Sequence, residues 1–184
     1  SGWKTWSFSG ESLYEPVSVD GMQAVRAKSE GTASLMYRET PVDLTETPYM
    51  VWSWRVDERP EGHDERSKSG DDYPVRLYAV KSNGWGRLGL ESINYVWSHS
   101  AGSDERWPNP YTDDSKVVVV ASSSAKIGTW RREVRNVRED FAREFGEEIS
   151  QLDGIALMAD TDDTGGRSCA FIGEIYFTDT PPGQ

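Results

Sequence analysis

The sequence predicts an all-β protein, a two-sheet antiparallel jelly-roll sandwich of the galactose-binding-like kind with one short amphipathic helix near 137–145. Three observations predict it. Apolar and polar residues alternate with a period of two through most of the chain, and turn residues interrupt the alternation roughly every 8 to 15 positions. One stretch alone switches to helical spacing. Finally, 184 residues without internal repeat or low-complexity linker suit a single domain, residues 1–184.

The elements follow in order. Segments 13–19 and 22–28 flank Asp20-Gly21, a dipeptide that takes the positive φ of a two-residue hairpin turn. Segment 33–38 continues the alternation after Glu30-Gly31. In 49–56, Met50, Trp52, Trp54 and Val56 share one face, and Tyr49, Val51, Ser53 and Arg55 the other. Val75, Leu77 and Ala79 oppose Arg76 and Tyr78; Ile93, Tyr95 and Trp97 oppose Asn94, Val96 and Ser98. The β-branched run 117–120 suits a strand buried on both faces. Segments 129–135, 154–159 and 170–177 complete about nine or ten strands. Between them, Asn136 is placed to cap a helix with Glu139 three residues on. Val137, Phe141 and Phe145 recur on one helical face, and Gly146 suits the residue after the last turn.

Composition narrows the partners. Hydrophobic residues make up 36 % and mean hydropathy is -0.68, but Trp 8, Tyr 8 and Phe 5 supply enough apolar area for one core. A net charge of -11 argues against nucleic acid and against docking on anionic lipid. No apolar run approaches the roughly 20 residues of a membrane-spanning helix. Cys169 is the one cysteine and His63 and His99 the two histidines, which excludes a disulfide framework and any Cys-based zinc site. The opening Ser1-Gly2-Trp3-Lys4 has neither the charged nor the apolar region of a signal peptide, and whether a leader once preceded it stays open.

Two polar stretches, 57–72 and 98–115, exceed hairpin length and lie on either side of the strand pair 75–80 and 93–98. Around them lie four constellations. Asp160, Asp162 and Asp163, in an acidic turn closed by Gly165-Gly166, read first as a solvated Asx-turn, since Asp and Gly are what any such turn selects, and alternatively as ligands of a structural Ca²⁺. Asp71 and Asp72 form an adjacent acid pair whose side chains diverge in an extended strand, so that one caps the loop and the other pairs with an arginine. Arg55, Arg76, Tyr78, Asn94, Asp160 and Glu174 fall opposite the core-facing residues, forming either one polar platform for hydroxyl or carboxylate groups or an ordinary exposed face. Trp85 at a Gly-flanked hairpin tip and Trp107 in the second long stretch offer rings for stacking on a sugar. Expected ligand contacts are therefore Arg55, Asp72, Arg76, Tyr78, Trp85, Asn94, Trp107 and Glu174. No nucleophile-elbow, phosphate-loop or dinucleotide motif occurs in a fitting context.

Five ordered motifs carry a resemblance: Trp52-Ser53-Trp54-Arg55; Lys68-Ser69-Gly70-Asp71-Asp72-Tyr73-Pro74-Val75-Arg76; Asn94-Tyr95-Val96-Trp97-Ser98; Asn109-Pro110-Tyr111-Thr112; and Ala156 to Gly166 with its Asp160-Thr161-Asp162-Asp163 turn. Together they resemble the bacterial domain-of-unknown-function 3047 family along nearly the whole chain. The resemblance implies export, to the periplasm or beyond, and supplies no catalytic residue. The closing strand, ending Gly173-Glu174-Ile175-Tyr176-Phe177, is more loosely similar to galactose-binding-like jelly rolls of carbohydrate-binding modules. The reading is a non-catalytic envelope module binding a carbohydrate or other polar small ligand on a sheet face. The alternatives are a polysaccharide lyase or glycoside hydrolase using Asp72, His99, Tyr95 or Asp160, and a structural protein whose loops dock a protein partner.

Overall fold

A computed structural model describes residues 2–83 and 89–183. Its strands are β1 (Lys4–Ser9), β2 (Leu13–Val19), β3 (Met22–Glu30), β4 (Ala33–Asp43), β5 (Tyr49–Glu58), β6 (Arg76–Ser82), β7 (Leu90–Trp97), β8 (Arg106–Asn109), β9 (Thr112–Ala121), β10 (Arg131–Asn136), β11 (Gln151–Asp160) and β12 (Arg167–Thr178). One helix, α1 (Val137–Phe145), and a 3-10 turn at Lys68–Gly70 accompany them. The strands form a seven-stranded sheet, β1-β4-β11-β6-β7-β9-β8, and a five-stranded sheet, β10-β5-β12-β3-β2. The fold is the expected jelly-roll sandwich.

Local chemistry explains the joints. Asp20 and Gly21 take φ of 52° and 80°, the left-handed pair that matches the twist of strands β2 and β3. The side chain of Asn136 accepts the Glu139 N–H at 3.1 Å, and Gly146, at φ 71°, donates to the Ala142 carbonyl at 2.9 Å, so α1 is capped at both ends.

The alternation missed two strands. All six residues of β1 are exposed, so no apolar rhythm marks it, and β8 is only four residues long and contains Pro108. One pairing also departs from the antiparallel expectation: β9 runs parallel to β7. The chain leaves β7 through a long loop, descends as the edge strand β8, and turns back into β9 beside β7.

Between the sheets, Trp52, Trp54, Tyr95 and Trp97 are fully buried, with Trp52 edge-on to Trp54 at 5.3 Å between ring centroids. Such rings each contribute about 3 kcal/mol of burial. Val118 joins this core, whereas Val117 and Val119 point the other way into a second apolar cluster with Tyr73, Val96, Ala101 and Trp107. That explains the uninterrupted valine run: both faces of the strand are covered.

The cover is a strap, residues 59–75, crossing the outer face of the seven-stranded sheet. Glu65, 2 % exposed, fastens it. Its Oε1 accepts from the Ser98 and Ser100 hydroxyls (2.8 and 2.7 Å) and from the His99 and Ser100 amides (both 3.1 Å). The two long polar stretches are thereby stitched together. The strap turns at Gly70, where a Cβ would lie 2.1 Å from the Asp64 carbonyl oxygen. Gly70→Ala is therefore expected to cost about 2–3 kcal/mol in urea unfolding; an unchanged midpoint would show that the strap can shift freely.

Candidate functional site

Pleating sends Leu77 into the core and Arg76 to the outer face of the seven-stranded sheet, where the strap seals it to 2 % exposure. The guanidinium then spends its donors inside the protein. Nε reaches Asp160 Oδ1 at 2.9 Å and Nη2 takes the other oxygen of the same carboxylate, a fork-to-fork pair. Nη1 donates to Asp71 Oδ1 at 3.1 Å and Asn94 Oδ1 at 3.5 Å, and the Tyr73 ring lies 4.5 Å from the guanidinium carbon. Asn94 is fully buried and donates to the Ser115 hydroxyl. Tyr78, one register step along, is half-buried with its hydroxyl directed to Met158 Sδ at 3.5 Å, and burial raises its pKa.

Asp72 does separate work. Its carboxylate accepts the backbone N–H groups of Asp163 (3.3 Å) and Thr164 (2.6 Å), tying the strap to the acidic turn after β11. Carboxylate oxygens of Asp72, Asp160 and Asp162 lie within 4.8 Å of one another. Of the expected set Asp160, Asp162 and Asp163, the first two thus gather with Asp72, brought by the strap, while Asp163 accepts the Tyr111 hydroxyl at 2.7 Å. Sequence spacing cannot show such an exchange between distant segments. Burial pushes the Asp160 carboxyl up to about 7 against the pull of Arg76. Asp162 is pushed up to about 6, first by desolvation and then by the charges of Asp163 and Asp72. Desolvation also raises Asp71 and Asp163. Arg76 pairs with Asp160 and Asp71, while Asp72, Asp162 and Asp163 crowd the adjoining turn, an excess of carboxyls that protons or a hard cation would relieve. Four of the five sequence motifs meet here: the 68–76, 94–98, 109–112 and 156–166 stretches.

The single polar platform does not form. Arg76, Tyr78, Asn94 and Asp160 lie on the seven-stranded sheet, while Arg55 on β5 and Glu174 on β12 lie on the five-stranded sheet. Arg55 is held by Asp57 at 2.7 Å and Asp20 at 2.9 Å, over the Phe171 ring. Pleating tells inside from outside but not which of two sheets a strand joins. Trp107 also departs from expectation. It is 7 % exposed, inside β8, with the Arg66 guanidinium 4.6 Å above its ring, so it offers no stacking surface. Trp85 falls outside the described residues.

An open groove exists on the five-stranded sheet instead. It encloses about 680 Å³, within the range of ligand sites. Its floor includes Val51, Ser53 and Ala24, and Met22, Glu174, Tyr176 and Arg132 rise around them. A bulge shapes it: between Ile172, opposite Trp54, and Ile175, opposite Trp52, the two residues Gly173 and Glu174 face Ser53 alone. Glu174 is exposed and makes no hydrogen bond or ion pair to another described residue. Arg132 Nη2 donates to the Tyr176 hydroxyl at 2.8 Å and meets no carboxylate among the described residues. Tyr176 is 37 % exposed. Arg132 and Tyr176 went unread in the sequence; Gly173, a glycine inside a strand, was the available signal for the bulge beside them.

A search of the curated proteins returns no match. Among solved structures, the chain is similar to a family 11 xylanase from Neocallimastix patriciarum, at 11% identity over 96% of this chain and 91% of that one, with a TM-score of 0.52. It is also similar to the family 30 carbohydrate-binding module of a Clostridium thermocellum cellulosomal cellulase, at 12% identity over 95% of this chain and 90% of that one, with the same TM-score of 0.52. These likenesses are of fold. The five motifs extend to a whole-chain match, and by a family model covering residues 1–176 the chain belongs to the family described as protein of unknown function, DUF3047.

Proposed function

We propose that the protein is a non-catalytic carbohydrate-binding module of the bacterial envelope that holds its ligand in the groove of the five-stranded sheet. The observation that carries this reading is the exposed Tyr176 ring, its hydroxyl held by Arg132, beside Glu174, which meets no partner among the described residues. Sugars present an apolar ring face and a rim of hydroxyls, so they need an aromatic shelf with planar polar groups around it. The xylanase and the carbohydrate-binding module of the same fold agree with it, although a fold alone fixes no function. The envelope location rests on the family resemblance alone.

Hydrolysis lacks its second acid in this groove. Hydrolysis of a glycoside ordinarily takes two carboxyl groups roughly 5 to 10 Å apart, and Glu174 is the one acid among the lining residues. The acids and bases named for an enzyme lie elsewhere. Asp72, on the strap, and Asp160 beneath it are buried on the other sheet, Tyr95 donates to Asp140 at 2.7 Å within the core, and the His99 ring Nε2 lies 3.0 Å from the His63 carbonyl oxygen and 3.4 Å from Glu65 Oε1. We further propose that the carboxylates of Asp72, Asp160 and Asp162 take a structural Ca²⁺, a cation suited to hard oxygen ligands in flexible geometry.

Affinity electrophoresis in gels cast with soluble polysaccharides tests the groove. Tyr176→Ala is expected to abolish retardation, and Glu174→Gln to weaken it about tenfold. Full retardation of Tyr176→Ala would remove the groove from the function.

A further inference from the structure

We infer that the groove takes an internal run of about four units of an uncharged polysaccharide, lying across the strands; this rests on the binding reading above. The direction comes from the lining residues. They belong to β10 (Arg132), β5 (Val51, Ser53), β12 (Glu174, Tyr176), β3 (Met22, Ala24) and β2 (Pro16), which are every strand of the sheet in spatial order. A trough that crosses all five strands spans four inter-strand steps of about 4.8 Å, or roughly 19 Å. A pyranose unit in an extended chain advances by about one strand spacing, so about four rings fit.

Among the described residues no strand closes either end of the trough, since β10 and β2 are the two edge strands of this sheet. A ligand chain can therefore enter over Arg132 and leave over Pro16, which favours the interior of a polymer over its terminus.

Charge selects the class. Among the described residues the groove carries one guanidinium that meets no carboxylate and one carboxylate that meets no cation, Arg132 and Glu174, whose charges cancel. Each can hold a pair of neighbouring hydroxyls through two parallel hydrogen bonds. A polyuronate would bring one anion per ring to a single arginine. It would also face the field of a protein with a net charge of -11. Neutral hydroxyl-rich chains meet neither penalty. Arg132 adds a geometric filter: it reaches over β5 to the Tyr176 hydroxyl and so fixes the ring of the aromatic shelf.

Calorimetric titration decides it, using gluco-, xylo- and manno-oligosaccharides from disaccharide to hexasaccharide, and oligogalacturonates of the same lengths. Each series is run at low and at physiological salt. In one neutral series affinity is expected to rise with length, level off near the tetrasaccharide, and change less than about twofold with salt. Tyr176→Ala, with an unchanged melting temperature, should weaken it at least about tenfold. Oligogalacturonate binding that falls with salt and is lost in Tyr176→Ala would overturn the neutral class while leaving the groove in place. A disaccharide as tight as the hexasaccharide would overturn the four-unit span. No binding in any series, or binding indifferent to Tyr176→Ala, would instead overturn the groove itself.

Discussion

Replacing Arg76 by Ala should lower the unfolding free energy by about 3–5 kcal/mol, the cost of stranding buried charges that have lost their partner. For a chain of this length that corresponds to a fall of roughly 6–20 °C in melting temperature. The reason lies in what would remain. Asp160 and Asp71 would face one another beneath the strap without a countercharge, and Asn94 Oδ1 and the Asp71 carbonyl would each lose a donor. Arg76→Lys should recover little, because a single ammonium cannot fork one carboxylate and also reach the strap. Adding Asp160→Asn to Arg76→Ala should recover part of the loss, since it removes the stranded charge while keeping the shape. Urea unfolding measures all three. Equal midpoints for wild type and Arg76→Ala would show that the guanidinium is not the keystone of this face. The groove gives an independent readout, because it lies on the other sheet: the folded Arg76→Ala protein should bind sugar as the wild type does.

Much of this architecture is legible in the chain. Met50, Trp52, Trp54 and Val56 announce their core face by period-two alternation, and Asn136 and Gly146 announce the ends of α1 through the backbone groups they satisfy. What stays hidden is long-range. Arg55 and Arg76 both alternate away from tryptophan or leucine neighbours, yet one sits on each sheet, because alternation carries no record of strand order. Trp107, flanked by charge and proline, looks exposed until Tyr73 and Val96 close over it from segments far away in sequence. Asp72 enters the acid triad for the same reason, carried there by a strap whose path depends on Glu65 and Gly70. The adjacent pair Asp71 and Asp72 was easier, since extended backbone turns neighbours apart: one holds Arg76, the other the acidic turn.

The acid cluster should make stability fall with rising pH, opposite to the usual behaviour of a salt-bridged carboxylate. A carboxyl whose pKa is higher in the folded than in the unfolded chain binds its proton more tightly in the fold. It therefore stabilises below the unfolded value of about 3.9, and that contribution is lost as pH climbs through the folded value. For Asp162 and Asp160, at about 6 and about 7, the loss falls between roughly pH 4 and pH 8. Asp43, Asp104 and Asp153 are shifted the other way and act at the acid end, below that window. Melting temperature should thus decline from pH 5 to pH 8. Asp162→Asn, a permanent stand-in for the protonated acid, should flatten the decline and melt higher than wild type at pH 8. Ca²⁺ competes for the same oxygens as the proton, so its effect should grow as pH rises. At pH 8, calcium at a hundred times its dissociation constant would add about 2.7 kcal/mol, or roughly 5–11 °C, and chelation with EDTA should reverse it. Asp162→Asn should lose most of that gain. A melting temperature that rises from pH 5 to pH 8 would refute the proton-holding cluster, and one indifferent to Ca²⁺ at pH 8 would refute the cation while leaving the proton account standing.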